Sequence, residues 1–271
     1  MSHKIHPNNY RLGYLLEWKN KWYTYSYNYS NFLIKNLKLY EYINRILYKQ
    51  SLFLGNLILK DYRTKLLINL TYYSHSDLHS ANLSLGVKDT FWYSISQLLQ
   101  FYFKKFVQIN HYCHSSLLQH PNFIVNWICL MMEKEVDLKI ILNQLKSSIK
   151  KIYENEKIDE KREIPTGFSS RCTHYSICYR ENNERDFSNY YYCDCITSYD
   201  RFFGTKTVFL KGVKILVNGR LLGLKNQITT SETIEIGTVP LQTKEYTLLF
   251  AIKDFVTKYG VYGIKVWMFY K

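Results

Sequence analysis

Leu52-Phe53-Leu54-Gly55-Asn56-Leu57-Ile58-Leu59, the polar turn Asp61-Tyr62-Arg63 and then Lys65-Leu66-Leu67-Ile68-Asn69-Leu70-Thr71-Tyr72-Tyr73 decide how the first half of this chain folds. Two apolar runs of strand length on either side of a short polar turn predict a β-hairpin. Upstream, Ser30 is a good N-cap, and Phe32, Leu33, Leu37, Tyr40, Ile43, Ile46 and Leu47 recur at helical spacing as far as about Gln50. Downstream, Ser74 to Asp89 is polar and reads as a loop; Thr90 then caps a second helix running to about Lys105, and Val107 to Tyr112 reads as a strand. The order helix, strand, strand, loop, helix, strand suits a small sheet covered by helices on one face.

Before this unit, residues 1–29 mix cations with aromatics (Lys4, Arg11, Trp18, Lys19, Lys21, Trp22, Tyr23) without a helical period and read as an extended basic arm. After it, Pro121 opens one long amphipathic helix with an apolar stripe through Ile124, Ile128, Met131, Leu138, Ile141, Leu145, Ile149 and Ile152. Residues 153–205 lack a clear period and read as an insertion: a charged run from Glu154 to Glu163, Pro165-Thr166-Gly167, and a patch rich in Cys and Tyr ending near Phe203. From Lys206 the pattern is β again, over Val208 to Leu210, Val213 to Val217, Thr233 to Pro240, Glu245 to Lys253 and Gly263 to Phe269. The expected class is α+β: an arm over 1–29, a small sheet domain over 30–120, and over 121–271 a C-terminal α/β domain with a mostly antiparallel sheet and the insertion.

The chain has 271 residues, with 36 Lys plus Arg against 22 Asp plus Glu and a formal net charge of +14. With 46% hydrophobic residues it can build cores, so a wholly disordered basic tail is excluded. Positive charge on a folded chain favours polyanions, because neutralising phosphates releases condensed counterions. Nucleic acid leads and an anionic membrane surface follows. The longest apolar stretch, Phe123 to Met132 with Asn126 inside it, is far short of the roughly 20 residues that span a bilayer, and no membrane partner is expected. Cys113 and Cys129 stand apart from Cys172, Cys178, Cys193 and Cys195, in a chain large enough to fold without disulfides, which favours a reducing compartment. The start, from Met1 to Pro7, has neither the apolar core of a secretory signal nor an Arg-rich amphipathic leader. The 26 Tyr, beside only 4 Pro and 11 Gly, are the bias of an AT-rich coding sequence; most fill core and surface positions, and some could stack on exposed bases.

The first half has the element order of a type-II KH domain, and both ends of the chain resemble the family of universal small-subunit ribosomal protein three. The opening His3-Lys4-Ile5-His6-Pro7, Tyr10-Arg11-Leu12-Gly13 and the pair Trp18 and Trp22 are similar to that family's start. The last part matches further: Lys211-Gly212-Val213-Lys214-Ile215, Asn218-Gly219-Arg220-Leu221 with Gly223, Gly237-Thr238-Val239-Pro240-Leu241 with Thr243, and Tyr259-Gly260-Val261 with Gly263-Ile264-Lys265-Val266-Trp267. In the middle, Gln108-Ile109-Asn110 falls on the last KH strand, and Glu133, Lys134 and Val136 on the family's long helix. The resemblance implies a structural, non-enzymatic constituent of the small-subunit head, with small-subunit ribosomal RNA as main ligand. It also implies small-subunit proteins ten and fourteen as neighbours and messenger RNA close by, at the channel through which it enters. Because the first motif begins at the first residue, no cleavable presequence is expected; with the composition, this points to a mitochondrially encoded protein of the matrix, the alternatives being a plastid or an AT-rich bacterium.

Ribosomal proteins of this kind act through Lys and Arg on phosphate oxygens and through aromatics or backbone amides fitted to irregular RNA. Lys4, His6, Arg11, Lys19 and Lys21 form one candidate RNA-binding group, and Lys206, Lys211, Lys214, Arg220 and Lys225 a second, each against the alternative of a plain solvated surface. Gly219 and Gly223 flank the turn after Arg220, where missing side chains permit positive φ or close approach of the backbone to RNA. The G-x-x-G clamp of KH domains is degraded to Gly86-Val87-Lys88-Asp89, with a carboxylate in place of the second glycine. On the long helix, where bacterial relatives carry Arg, only Lys139 and nearby Lys146 are left to face messenger RNA. No cofactor is expected. Cys172, Cys178, Cys193 and Cys195, with His174, could hold zinc, but the spacing lacks the usual C-x-x-C pairs, and free thiols are the simpler reading. His111 and His114 near Cys113 read as surface or RNA contacts, and no catalytic set is visible. A free organellar RNA-binding factor, for splicing or messenger stabilisation, would want the clamp intact. A zinc deaminase would want H-x-E with P-C-x-x-C, which is absent.

Overall fold

A computed structural model describes residues 5–14, 18, 20–62, 64–74, 86–114, 117–161, 192–193, 196–200, 204–208, 210–220, 228–258 and 260–270. The chain divides into two compact units: one formed by residues 18–116 with 175–194, the other by 1–17, 117–174 and 195–271. The expected arm over 1–29 is therefore not a body of its own. Its first part belongs with the C-terminal unit and its second part with the sheet unit.

In the sheet unit, helix α2 (Tyr29–Lys49) leads into β1 (Leu52–Asp61) and β2 (Lys65–Ser74), the expected hairpin; helix α3 (Gly86–Phe103) and β3 (Phe106–His114) follow. β1 and β2 are antiparallel, with a register shift between Leu54 and Leu57 where the Asn56 N–H turns to the Thr71 hydroxyl at 2.8 Å. β3 runs parallel to β2 along its whole length, and a two-residue strand β4 (Tyr192–Cys193) from the insertion adds beside β3. Alternation along β2 sends Leu66, Ile68, Leu70 and Tyr72 into one core with Leu39, Ile43 and Leu47 of α2 and Trp92, Ile95, Leu99 and Phe103 of α3. Leu33, Leu37 and Tyr40, expected on the apolar stripe of α2, are exposed, whereas Leu39 is buried. The inward face of α2 is the one spaced at Leu39, Ile43 and Leu47. α3 begins at Gly86 rather than at Thr90, so the clamp-like Gly86-Val87-Lys88-Asp89 lies in its first turn and not in a loop.

The C-terminal unit carries a four-stranded antiparallel sheet in the order β8-β7-β10-β9, built from β7 (Leu210–Gly219), β8 (Thr230–Gly237), β9 (Thr247–Thr257) and β10 (Gly260–Tyr270). A separate hairpin pairs β5 (Ile196–Asp200) with β6 (Gly204–Val208). Val213, Ile215 and Val217 of β7 and Tyr262, Ile264, Val266 and Met268 of β10 are buried, with α4 (Pro121–Glu133) packed on β9 and β10 and α5 (Leu138–Lys161) on β7 and β8. The single long helix expected from Pro121 is thus two. Glu135 has φ +57, and the chain turns back so that Glu135 N–H donates to the Met132 carbonyl and Val136 N–H to that of Met131, the double bond of a Schellman closure. The apolar stripe continues across the break because Leu138, Ile141, Leu145 and Ile149 face the same sheet as Ile124 and Ile128. Among the described residues no helix is long and apolar enough to cross a membrane.

Candidate nucleic-acid interface

The short helix α1 (Pro7–Arg11) packs on β9. His6 caps it, its Nδ1 accepting from the Asn8 N–H at 3.3 Å, and the His6 ring meets Phe250 edge-on at 4.8 Å. Arg11 corrects an expectation. It is only 1% exposed, and its guanidinium donates to the carbonyls of Pro7 (3.2 Å), Pro240 (3.2 Å), Leu241 (3.3 Å) and Thr243 (2.7 Å). Burial lowers its pKa from the usual value, the neighbouring Tyr10 opposing that shift, and the group stays cationic. Arg11 is a latch between α1 and the segment after β8, with no face left for phosphate. Periodicity misses this because its partners lie at the far end of the chain.

Lys21 is exposed, and its backbone pairs with β1: its N–H donates to the Leu59 carbonyl (2.8 Å) and its carbonyl accepts from the Asp61 N–H (2.9 Å). Lys214 on β7 is the cross-strand partner of Glu235 on β8, and their charges meet at 2.8 Å, so part of its field is already neutralised. Lys211 and Arg220 are half-buried near the two ends of β7; the Lys211 carbonyl accepts from the Thr238 N–H and that of Arg220 from the Tyr262 hydroxyl at 2.9 Å. The close approach expected at Gly219 is present, but to protein: a Cβ there would stand 2.6 Å from the Tyr262 ring. Lys206 lies on β6. Lys4, Lys19, Gly223 and Lys225 fall outside the described residues, as do Cys172, His174, Cys178 and Cys195 of the zinc candidate; Cys193 lies on β4. Among the described residues no group of three metal-ligating side chains forms.

His111, expected at the surface or on RNA, is half-buried, stacks on Trp92 (4.9 Å, 15° between planes) and also meets Tyr72, so one side of its ring is part of the sheet unit's packing. On α5, Lys139 and Lys146 are exposed and share a face with Lys150, at i, i+7 and i+11, flanking the buried stripe of Leu138, Ile141, Leu142, Leu145 and Ile149. Lys150 lies beyond the segment to which the family resemblance points, and the signal that finds it is the spacing from Lys139 along a helix that continues through both. The three cations form one row about 16 Å long. An exposed cation row on a rigid helix can track a phosphate backbone.

The family described as "Ribosomal protein S3, C-terminal domain" matches residues 205–268, which cover β7 to β10 almost completely. Over 271 residues, 99% of this chain and 92% of the other, the chain is 23% identical to the small ribosomal subunit protein uS3 of Desulforamulus reducens. Shorter likenesses are higher: 44% identity over 59 residues to uS3 of Orientia tsutsugamushi, covering 22% of this chain and 26% of that one. The protein named uS3c of Trieres chinensis is 48% identical over 60 residues, 22% of this chain and 27% of its own.

Proposed function

We propose, from the premise that this chain belongs to the ribosomal protein S3 family, that it is a structural constituent of the small ribosomal subunit, held by ribosomal RNA and performing no catalysis. The observation that carries this is the end-to-end likeness to uS3, with the family's C-terminal domain falling on the β7–β10 sheet. The role is charge neutralisation and shape, and it needs no cofactor.

Within the subunit we assign it to the head, beside the channel through which messenger RNA enters, with small-subunit proteins ten and fourteen as neighbours; the family resemblance of both chain ends supports this. Lys139, Lys146 and Lys150 on the exposed flank of α5 are the cations we assign to RNA in that region, and Lys21 is a further contact. We assign the protein to mitochondria, on the support of a composition with 26 Tyr and only 4 Pro and 11 Gly. Sedimentation of mitochondrial lysate through sucrose at moderate magnesium tests the reading, following the protein by mass spectrometry against small-subunit RNA. Co-migration that survives a high-salt wash is expected. Recovery near the top of the gradient, away from that RNA, overturns it.

A further inference from the structure

The segment Trp22-Tyr23-Thr24-Tyr25-Ser26-Tyr27-Asn28-Tyr29 places a tyrosine at every second position. Its start is pinned. The Lys21 backbone pairs with β1, the Asn20 side-chain oxygen accepts from the Leu59 N–H at 3.1 Å, and the Trp22 ring packs on Tyr29 (5.4 Å) and Phe32 (5.0 Å). The backbone is extended as far as Tyr25, so that successive side chains alternate faces, and it then turns through a 3-10 helix over Ser26–Asn28 that carries Tyr27. Trp22 and Thr24 are half-buried, while Tyr23, Tyr25 and Tyr27 stand 82%, 64% and 74% exposed. The outward rings are ordered relative to one another: Tyr25 and Tyr27 lie parallel, 7° between planes at 5.9 Å, and Tyr23 meets Tyr25 at 6.0 Å. Three large rings in a row on an exposed surface, presented by a backbone that is itself held, form a preformed stacking surface.

The chemistry around the rings selects the ligand. From residue 18 to residue 40 there are four lysines (Lys19, Lys21, Lys35, Lys38) and no carboxylate, and from 18 to 31 no aliphatic side chain either. Tyrosines alone would also suit a protein partner, but lysine and serine are depleted in protein–protein interfaces, and here they surround the rings. Aromatic rings interleaved with Thr, Ser and Asn in a cationic, carboxylate-free stretch suit unpaired bases, whose π faces stack on the rings while hydroxyls and amides reach sugar and phosphate. We infer that Tyr23, Tyr25 and Tyr27 form a stacking ladder for unpaired bases of RNA. This rests on the RNA-bound role proposed above and adds the place and the kind of RNA contacted.

The test compares full-length protein with two triple variants, Tyr23→Ala/Tyr25→Ala/Tyr27→Ala and Tyr23→Phe/Tyr25→Phe/Tyr27→Phe. Affinity is measured for a short fluorescent oligouridine and for a short RNA duplex, over a series of salt concentrations. Because the rings are exposed, circular dichroism is expected to show all three proteins folded. The Ala variant is expected to lose about tenfold in oligouridine affinity or more. The Phe variant stays close to wild type, and neither variant changes duplex affinity or the salt slope. An Ala variant that binds oligouridine like wild type overturns the ladder alone, leaving the ribosomal role intact. Equal losses for oligouridine and duplex, or a Phe variant as weak as the Ala one, also overturn base stacking. A wild-type protein that binds neither RNA and does not co-sediment with the subunit overturns the underlying reading as well.

Discussion

A guanidinium surrounded by the carbonyls of Pro7, Pro240, Leu241 and Thr243 serves the fold, although the sequence around it is basic. Removing it strands those carbonyls, so Arg11→Ala is expected to lower stability by about 3 kcal/mol in chemical denaturation. Arg11→Lys should recover part of this, since an ammonium cannot reach as many carbonyls at once. At concentrations where the variant is still folded, the salt slope of RNA binding should be unchanged; a slope smaller by about one would return Arg11 to the phosphate contacts. Cys129 shows a second buried polar group with a measurable consequence. It is 1% exposed, and burial pushes its thiol from the ordinary 9.0 up to about 11, against the opposing pull of Lys253. The folded state therefore holds the proton more tightly than the unfolded chain. The contribution is complete below pH 9 and is lost as pH rises towards 11, by about 2 to 3 kcal/mol across that window. The stability difference between wild type and Cys129→Ala, followed from pH 8 to pH 11, should shift by that amount in the variant's favour, and a flat difference would contradict the burial argument.

At the scale of elements, apolar periodicity located α2, α3, β1 to β3 and β7 to β10, missed α1 in the expected arm and β4 and β5 in the expected insertion, and placed element ends poorly, and the reason for the last is chemical. Among the described residues, three helices close on a residue in the left-handed region that is not glycine: Ser51 after α2 (φ 57), Lys104 after α3 (φ 53) and Glu135 after α4 (φ 57). Glycine is the usual marker of such a stop, and this chain has only 11. Without that marker the stripes of α4 and α5 read as one helix, because both are apolar towards the same sheet. Glu135→Gly is expected to raise stability by about 1 kcal/mol, because a side chain in left-handed backbone carries a cost of that order. The substitution removes little in exchange: the Glu135–Lys258 pair is 3.5 Å apart, with both side chains largely exposed. A melting temperature that falls instead would assign that pair, or the Glu135 stem, a larger part in holding α4 against β9.

At the scale of the whole molecule, the sequence carries family-like motifs at both ends of the chain without revealing that they are one structure. The latch supplies the physical link. His6 rests on Phe250, and Arg11 holds Pro240, Leu241 and Thr243, so the opening motif completes the C-terminal unit, while 18–116 belong, with 175–194, to the other unit. Periodicity reports which face of an element is apolar; it carries no information on which distant segment covers that face, and the first residues therefore read as a free arm. Gly237 belongs to the same construction. It has φ +75, and a Cβ there would collide with the Lys211 carbonyl, so the turn that presents residues 238–243 to Arg11 requires its missing side chain. Deleting residues 1–12 is thus expected to act unevenly. In hydrogen exchange of the otherwise intact chain, amides of β9 and of residues 240–243 should lose protection, whereas β1, β2 and β3, whose core is closed by α2 and α3, should keep theirs. A loss spread equally over both sheets would mean that the two units open together, and that the first residues support the cooperativity of the whole chain rather than the C-terminal sheet to which they are bonded.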